Sequence, residues 1–170
     1  MRRGDPDYFP LLVGNHALGG NSLVSILFRE IRAKRGLSYS AYSYFMPMAQ
    51  PGPFIAALQT DRTQQAEALK ILYGAIEKFV MDGPPSDDLA AAKNNLIGGF
   101  PLRIDSNSKI VEYIAMIGFY DLPLDYLETF TARVVAVTAE TVKDAFGRRF
   151  DIDNLVTVIV GRTSAQADDS

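Results

Sequence analysis

The sequence predicts an α+β fold, a mainly antiparallel sheet with helices packed on one face. Ser38–Phe45 alternates with a period of two residues, and Phe54–Thr60 follows as a second strand after a proline-rich loop, Pro47 to Pro53. So short a connection makes the two strands antiparallel. Residues 61 to 150 then carry a run of helices, each bounded by caps or by glycine and proline. Last comes Asn154–Gly161, whose core Leu155-Val156-Thr157-Val158-Ile159-Val160 is nearly continuously apolar and is expected as a strand well inside the sheet.

Taken in order, Asp5 is the expected N-cap of the first helix, with Pro6 at the first helical position, where a missing N–H costs nothing. That helix should reach Leu18 and stop at Gly19-Gly20, with Phe9, Leu12, Val13 and His16 on one stripe. The next apolar set, Leu23, Val24, Ile26, Leu27, Phe28 and Ile31, has helical spacing and ends in Arg32, Lys34 and Arg35 before Gly36, an expected C-cap. Beyond the strand pair, Asp61 with Gln64 resembles a capping box. The helix after it presents Ala68, Leu69, Leu72, Ile76 and Phe79 on one face and stops near Asp82-Gly83-Pro84-Pro85. Ser86-Asp87-Asp88 opens another, broken at Gly98-Gly99-Phe100-Pro101. Ser106-Asn107-Ser108 restarts the chain as a helix with Ile110, Ile114 and Ile117 on its face, ending by Asp121. Two more helices are expected over Leu124–Val134 and Val142–Phe150, the latter capped by Thr138-Ala139-Glu140. Residues 1–162 are expected as one domain and 163–170, small and acidic, as a flexible tail.

Composition narrows the function. A chain of 170 residues with 48% hydrophobic and 22% charged residues suits one ordinary globular core. The net charge of −3 argues against general nucleic-acid binding, even with Tyr39, Tyr42 and Tyr44 beside a basic cluster. No run approaches the roughly 18 apolar residues that span a membrane. There are no cysteines, which excludes disulfides and leaves the compartment open, periplasm or cytoplasm alike. No Gly-Xaa-Ser-Xaa-Gly turn is present for serine catalysis. Asp87 and Asp88 read as acids at a helix start, and Asp151 and Asp153 lack a calcium loop around them.

Arg32 and Tyr39 are the candidate site. One ends a helix and the other begins a strand, so both can serve one small volume. Their ordinary roles are modest: an arginine in a last turn complements the helix dipole, and a strand tyrosine packs with its hydroxyl at the rim. The wider pattern gives them more. Leu18-Gly19-Gly20 followed by Leu27-Phe28-Arg29-Glu30-Ile31-Arg32-Ala33-Lys34-Arg35-Gly36-Leu37-Ser38-Tyr39 resembles the C-terminal, non-catalytic domain of the pitrilysin, insulin-degrading-enzyme and mitochondrial-processing-peptidase family of zinc metallopeptidases. The resemblance runs from Gly4-Asp5-Pro6-Asp7 to about Gly161. It implies that Arg32 and Tyr39 hold substrate backbone opposite a zinc ion. It also implies that a strand precedes the first helix, so the domain is expected to lack its first strand here.

The catalytic half of that family binds zinc through His-Xaa-Xaa-Glu-His and a later glutamate. This chain has one histidine and no thiol, too few for such a centre. No metal ligand or catalytic residue is therefore assigned, and His16 is expected in packing. The resemblance implies zinc in a partner domain or chain and an extended peptide as substrate. The alternative is a structural or oligomerising subunit with no proteolytic role. A lost first strand would leave an open sheet edge, from which a homodimer of the isolated chain is expected.

Overall fold

The computed structural model describes residues 1–20 and 24–161. Ser22 and Leu23 at the head of the expected second helix, and the expected tail, lie outside the described residues.

The architecture is α+β, with β1 (Ala41–Phe45) and β2 (Phe54–Leu58) paired antiparallel from Ala41 opposite Leu58 to Phe45 opposite Phe54. β1 alternates as its sequence requires: Ala41 and Ser43 are buried, while Tyr42 and Tyr44 face solvent. Its buried side packs on α1 (Tyr8–Asn15), which continues as a π-helical turn over His16–Gly20. The strand begins three residues later than its period suggests. Ser38 Oγ donates to the carbonyls of Ser40 and Gln59, so a side chain does the joining there that a backbone ladder would do.

α2 (Gln65–Asp82) buries Ala68, Leu72, Ile76 and Phe79, the stripe its spacing dictates, and ends at Gly83 with φ 78°. α3 (Ser86–Gly99) stops where paired glycines and Pro101 predict. α4 (Asn107–Phe119) is capped by Ser106, whose hydroxyl accepts from the Lys109 amide. Its inner face differs from the isoleucine stripe: Ile117 is buried, whereas Ile114 is exposed. Tyr113, turned toward the Phe100 ring 6.5 Å away, sets that rotation. α5 (Tyr126–Ala136) and α6 (Ala139–Arg149) complete the helical layer, α6 with a reciprocal cap between Thr138 and Thr141.

Two further expectations need correction. The first helix starts at Tyr8 with Asp7 at the cap position. The Asp5 carboxylate accepts from the Asp7 amide instead, and Asp7 itself pairs with Arg148 at 2.7 Å and Arg149 at 2.9 Å. Ion pairs to α6 thus outweigh the local cap. The run Leu155–Val160 is not a strand inside the sheet. Among the described residues it pairs with no strand, and Val156, Val158 and Val160 are exposed at 87%, 79% and 93%. Apolar content announces a strand, but a strand exists only where a neighbour supplies hydrogen bonds.

The core lies between the hairpin and the helices. Phe146 is fully buried, with Phe79 at 4.9 Å, Phe150 at 5.3 Å and Phe45 at 5.8 Å between ring centres. Among the described residues no helix is long and apolar enough to cross a membrane.

Candidate functional site

The helix that carries Arg32 is wound wide. Phe28–Ala33 is π-helical, with the Lys34 amide bonded to the Arg29 carbonyl at 3.0 Å. Such turns are short and recur at functional positions. Gly36 ends it with φ 65°, letting its amide reach the Arg32 carbonyl and the Leu37 amide reach that of Ile31. Only glycine takes this left-handed conformation without strain. Ile31 and Leu27 are fully buried and anchor the turn from beneath.

The charges around Arg32 are spoken for. Arg29 grips Asp88 at the start of α3 through two parallel bonds of 2.9 and 2.8 Å. Glu30 takes Lys34 at 2.7 Å and Arg35 at 3.1 Å, and those bonds hold its carboxyl below the usual range. Arg32 differs. Among the described residues its guanidinium makes no ion pair or hydrogen bond and lies over the Phe28 ring, 5.0 Å from its centre.

Tyr39 sits on a pinned backbone. Thr60 Oγ1 donates to the Leu37 carbonyl, and Ser38 Oγ to that of Gln59, fixing residues 37–40 to the end of β2. From there Tyr39 projects into solvent, 89% exposed, which is far from the half-buried packing usual for a strand tyrosine. Among the described residues no hydrogen bond or cation–π contact joins Arg32 to Tyr39.

Two features at this end of the fold carry no motif. Asn15 and Ser43 form a buried reciprocal pair, Ser43 Oγ donating to Asn15 Oδ1 at 2.7 Å and Asn15 Nδ2 to the Ser43 carbonyl at 3.0 Å. Tyr42 and Tyr44 stack on the outer face of β1 with centres 6.1 Å apart. Their alternation with small residues was the sequence signal for a shared face. The Asn15–Ser43 pair had none, because the two residues lie far apart in the chain.

Set beside known proteins, residues 1–96 match the peptidase M16 inactive domain. The chain belongs to that family. The crystal structure of a peptidase M16 inactive domain from Pseudomonas fluorescens superposes with a TM-score of 0.84 at 38% identity, covering 90% of this chain and 36% of that one. An uncharacterized zinc protease of Streptomyces coelicolor is 29% identical over 153 residues, covering 88% of this chain and 33% of the relative. A non-peptidase homolog of Helicobacter pylori is 26% identical over 144 residues, 83% of this chain and 33% of the relative. The chain thus spans about a third of the length of the curated relatives it matches. Among the described residues of this M16 inactive domain, no group of three histidine, cysteine or acidic side chains could hold a metal ion.

The one histidine of this inactive domain is half-buried at the start of the π-turn, its Nε2 2.9 Å from Asn95 Oδ1. Burial pulls its pKa below the ordinary 6.5; the Asn95 bond opposes this and the nearby Arg103 charge adds to it. The unfolded chain therefore binds this proton more readily than the folded one. His16 contributes its full stability above pH 6.5 and loses it as the pH falls through that value toward the lower folded pKa. Urea unfolding from about pH 7 to about pH 5 should show a decline that His16→Gln flattens. Parallel profiles for the two proteins would refute this assignment.

Proposed function

We propose that this chain is the non-catalytic half of a zinc peptidase, closing a chamber and holding an extended peptide for a zinc-bearing partner domain or chain. The observation that carries the reading is the state of Arg32. In a cluster whose Arg29, Lys34 and Arg35 are each matched to a carboxylate, Arg32 alone lacks one among the described residues. Its planar fork is suited to peptide carbonyls, and it rests over the Phe28 ring. The Tyr39 hydroxyl, held out on a fixed turn, supplies a neutral donor for the oxyanion that forms at a scissile carbonyl. Zinc in the partner would supply the polarised carbonyl and activated water. Membership of the inactive-domain family supports the division of labour.

The test pairs this chain with a partner bearing His-Xaa-Xaa-Glu-His. The chain alone should hydrolyse no peptide. In the pair, Arg32→Ala and Tyr39→Phe should each lower turnover on the order of 10²-fold, the usual cost of an oxyanion donor, with unchanged melting temperatures. Unaltered turnover in both variants would defeat the proposal. The second reading, a structural subunit without proteolysis, draws on the Helicobacter relative named a non-peptidase homolog. It expects no hydrolysis with any such partner.

A further inference from the structure

A cavity of about 250 Å³ lies where α1, the end of β1, α3 and the short 3₁₀ turn Pro101–Arg103 come together. α1 and its π-helical continuation bring Leu12 and His16 to it, one turn apart, and α3 brings Leu96. The side chains of Arg3 and Arg103 line it as well, and among the described residues no aspartate or glutamate does. The chain as a whole holds 20 acidic residues against 17 basic ones, so this cavity runs against the charge of the molecule.

Neither guanidinium has a carboxylate. The Arg3 amide donates to the Met48 carbonyl at 3.1 Å, and its guanidinium lies 5.0 Å from the centre of the Tyr8 ring. Among the described residues Nη2 of Arg3 has the Met116 thioether, 2.6 Å away, as its acceptor, and a sulfur of that kind accepts weakly. Nε of Arg3 is fully buried and donates to nothing among the described residues. A buried donor left in that state costs free energy and calls for a partner. Arg103 makes no ion pair or side-chain hydrogen bond among the described residues. Its charge reaches His16 and disfavours the protonated ring. Two cations and a histidine thus share one small space with no counter-charge.

We infer that this cavity binds a small organic carboxylate, its oxygens held by the guanidinium groups of Arg3 and Arg103. A guanidinium stays charged at any working pH, and its planar fork of N–H donors matches the two oxygens of a carboxylate. The buried Nε of Arg3 gains an acceptor in this way, and the repulsion between Arg103 and His16 gains a counter-charge. The remaining walls decide between anions. Leu12, Leu96 and Pro47 line the cavity beside the two cations. A hydrocarbon body attached to the carboxylate covers them, whereas bare phosphate would set its hydration shell against apolar surface. The space is smaller than the roughly 300–1,000 Å³ of pockets for drug-sized ligands, which suits an acid of amino-acid size. Arg32 and Tyr39 do not line this cavity, so the inference stands apart from any role of theirs.

The test uses the whole chain, whose single histidine gives one imidazole C2–H signal in a proton NMR spectrum. The probe is N-acetylleucine, with N-acetylleucinamide as its uncharged counterpart and inorganic phosphate as a bare anion. The acid should move the His16 signal saturably, with a dissociation constant of about a millimolar for a ligand so small. It should also raise the His16 pKa, because a negative charge nearby favours the imidazolium. The amide should do neither. Arg103 is exposed, so Arg103→Gln should melt like the parent while weakening the acid at least about tenfold. Arg3→Gln should weaken it as much. An acid that leaves the His16 signal in place overturns the inference, as does an amide that binds equally well. So does an acid that binds the Arg103→Gln variant as tightly as the parent. Phosphate that saturates the site where the acid does not also overturns it, by naming a different ligand.

Discussion

Phe146→Ala should cost about 3–5 kcal/mol of stability, the range for removing a large aromatic side chain from a core that cannot collapse around the gap. The ring has no exposed surface and joins four elements at once. It meets Phe79 of α2 edge-on at 4.9 Å, stacks on Phe150 at 5.3 Å and meets Phe45 of β1 at 5.8 Å. On the side of α1, it closes so nearly onto Gly14 that a methyl group there would lie 2.6 Å from Phe146 Cε2. With a total stability of 5–15 kcal/mol typical of a domain, this one truncation removes a large part of the margin. Urea unfolding measures it, with Val135→Ala as the comparison, since that residue is more than half exposed and should cost under about 0.5 kcal/mol. A loss below about 1.5 kcal/mol for Phe146→Ala would mean that the aromatic cluster does not hold the hairpin to the helices.

Gly19→Ala is expected to be nearly as severe, about 3 kcal/mol, at the upper end of overpacking costs. The added methyl would lie 2.6 Å from the backbone nitrogen of Ser43 and 2.8 Å from Leu27 Cδ1, and would overlap the Ser43 hydroxyl. A flexible side chain could yield, but a β1 backbone atom cannot move without the strand. The displacement would also part Ser43 from Asn15, leaving two buried polar groups without partners. Thermal unfolding should show a lowered midpoint, and the variant should lose the protection of the β1 amides from hydrogen exchange. Wild-type stability would show that the π-turn does not press on the strand.

Much of the local structure could be read from the residues alone. Ser106 and Thr138 cap the helices that they were expected to cap, because a hydroxyl at that position satisfies an amide within the same turn. Gly36 and the stripe along α2 follow for the same reason: conformation and period are properties of a short stretch. The antiparallel pairing of the hairpin follows from its short loop. Arg32 and Tyr39 were legible as candidates only through a long pattern, and nothing in that pattern said which of four neighbouring cations would be left without a carboxylate.

That decision belongs to the tertiary structure. Asp88, far along the chain, takes Arg29, and the turn geometry gives Lys34 and Arg35 to Glu30, so Arg32 remains. The start of α1 was likewise moved when Arg148 and Arg149 claimed Asp7. The clearest division falls at Leu155–Val160. The sequence by itself determined that this run is apolar and β-branched, from which a strand inside the sheet was expected. Whether it is a strand depends on what lies beside it, since a β-strand is completed by another strand's hydrogen bonds, and among the described residues β2 has β1 as its one neighbour.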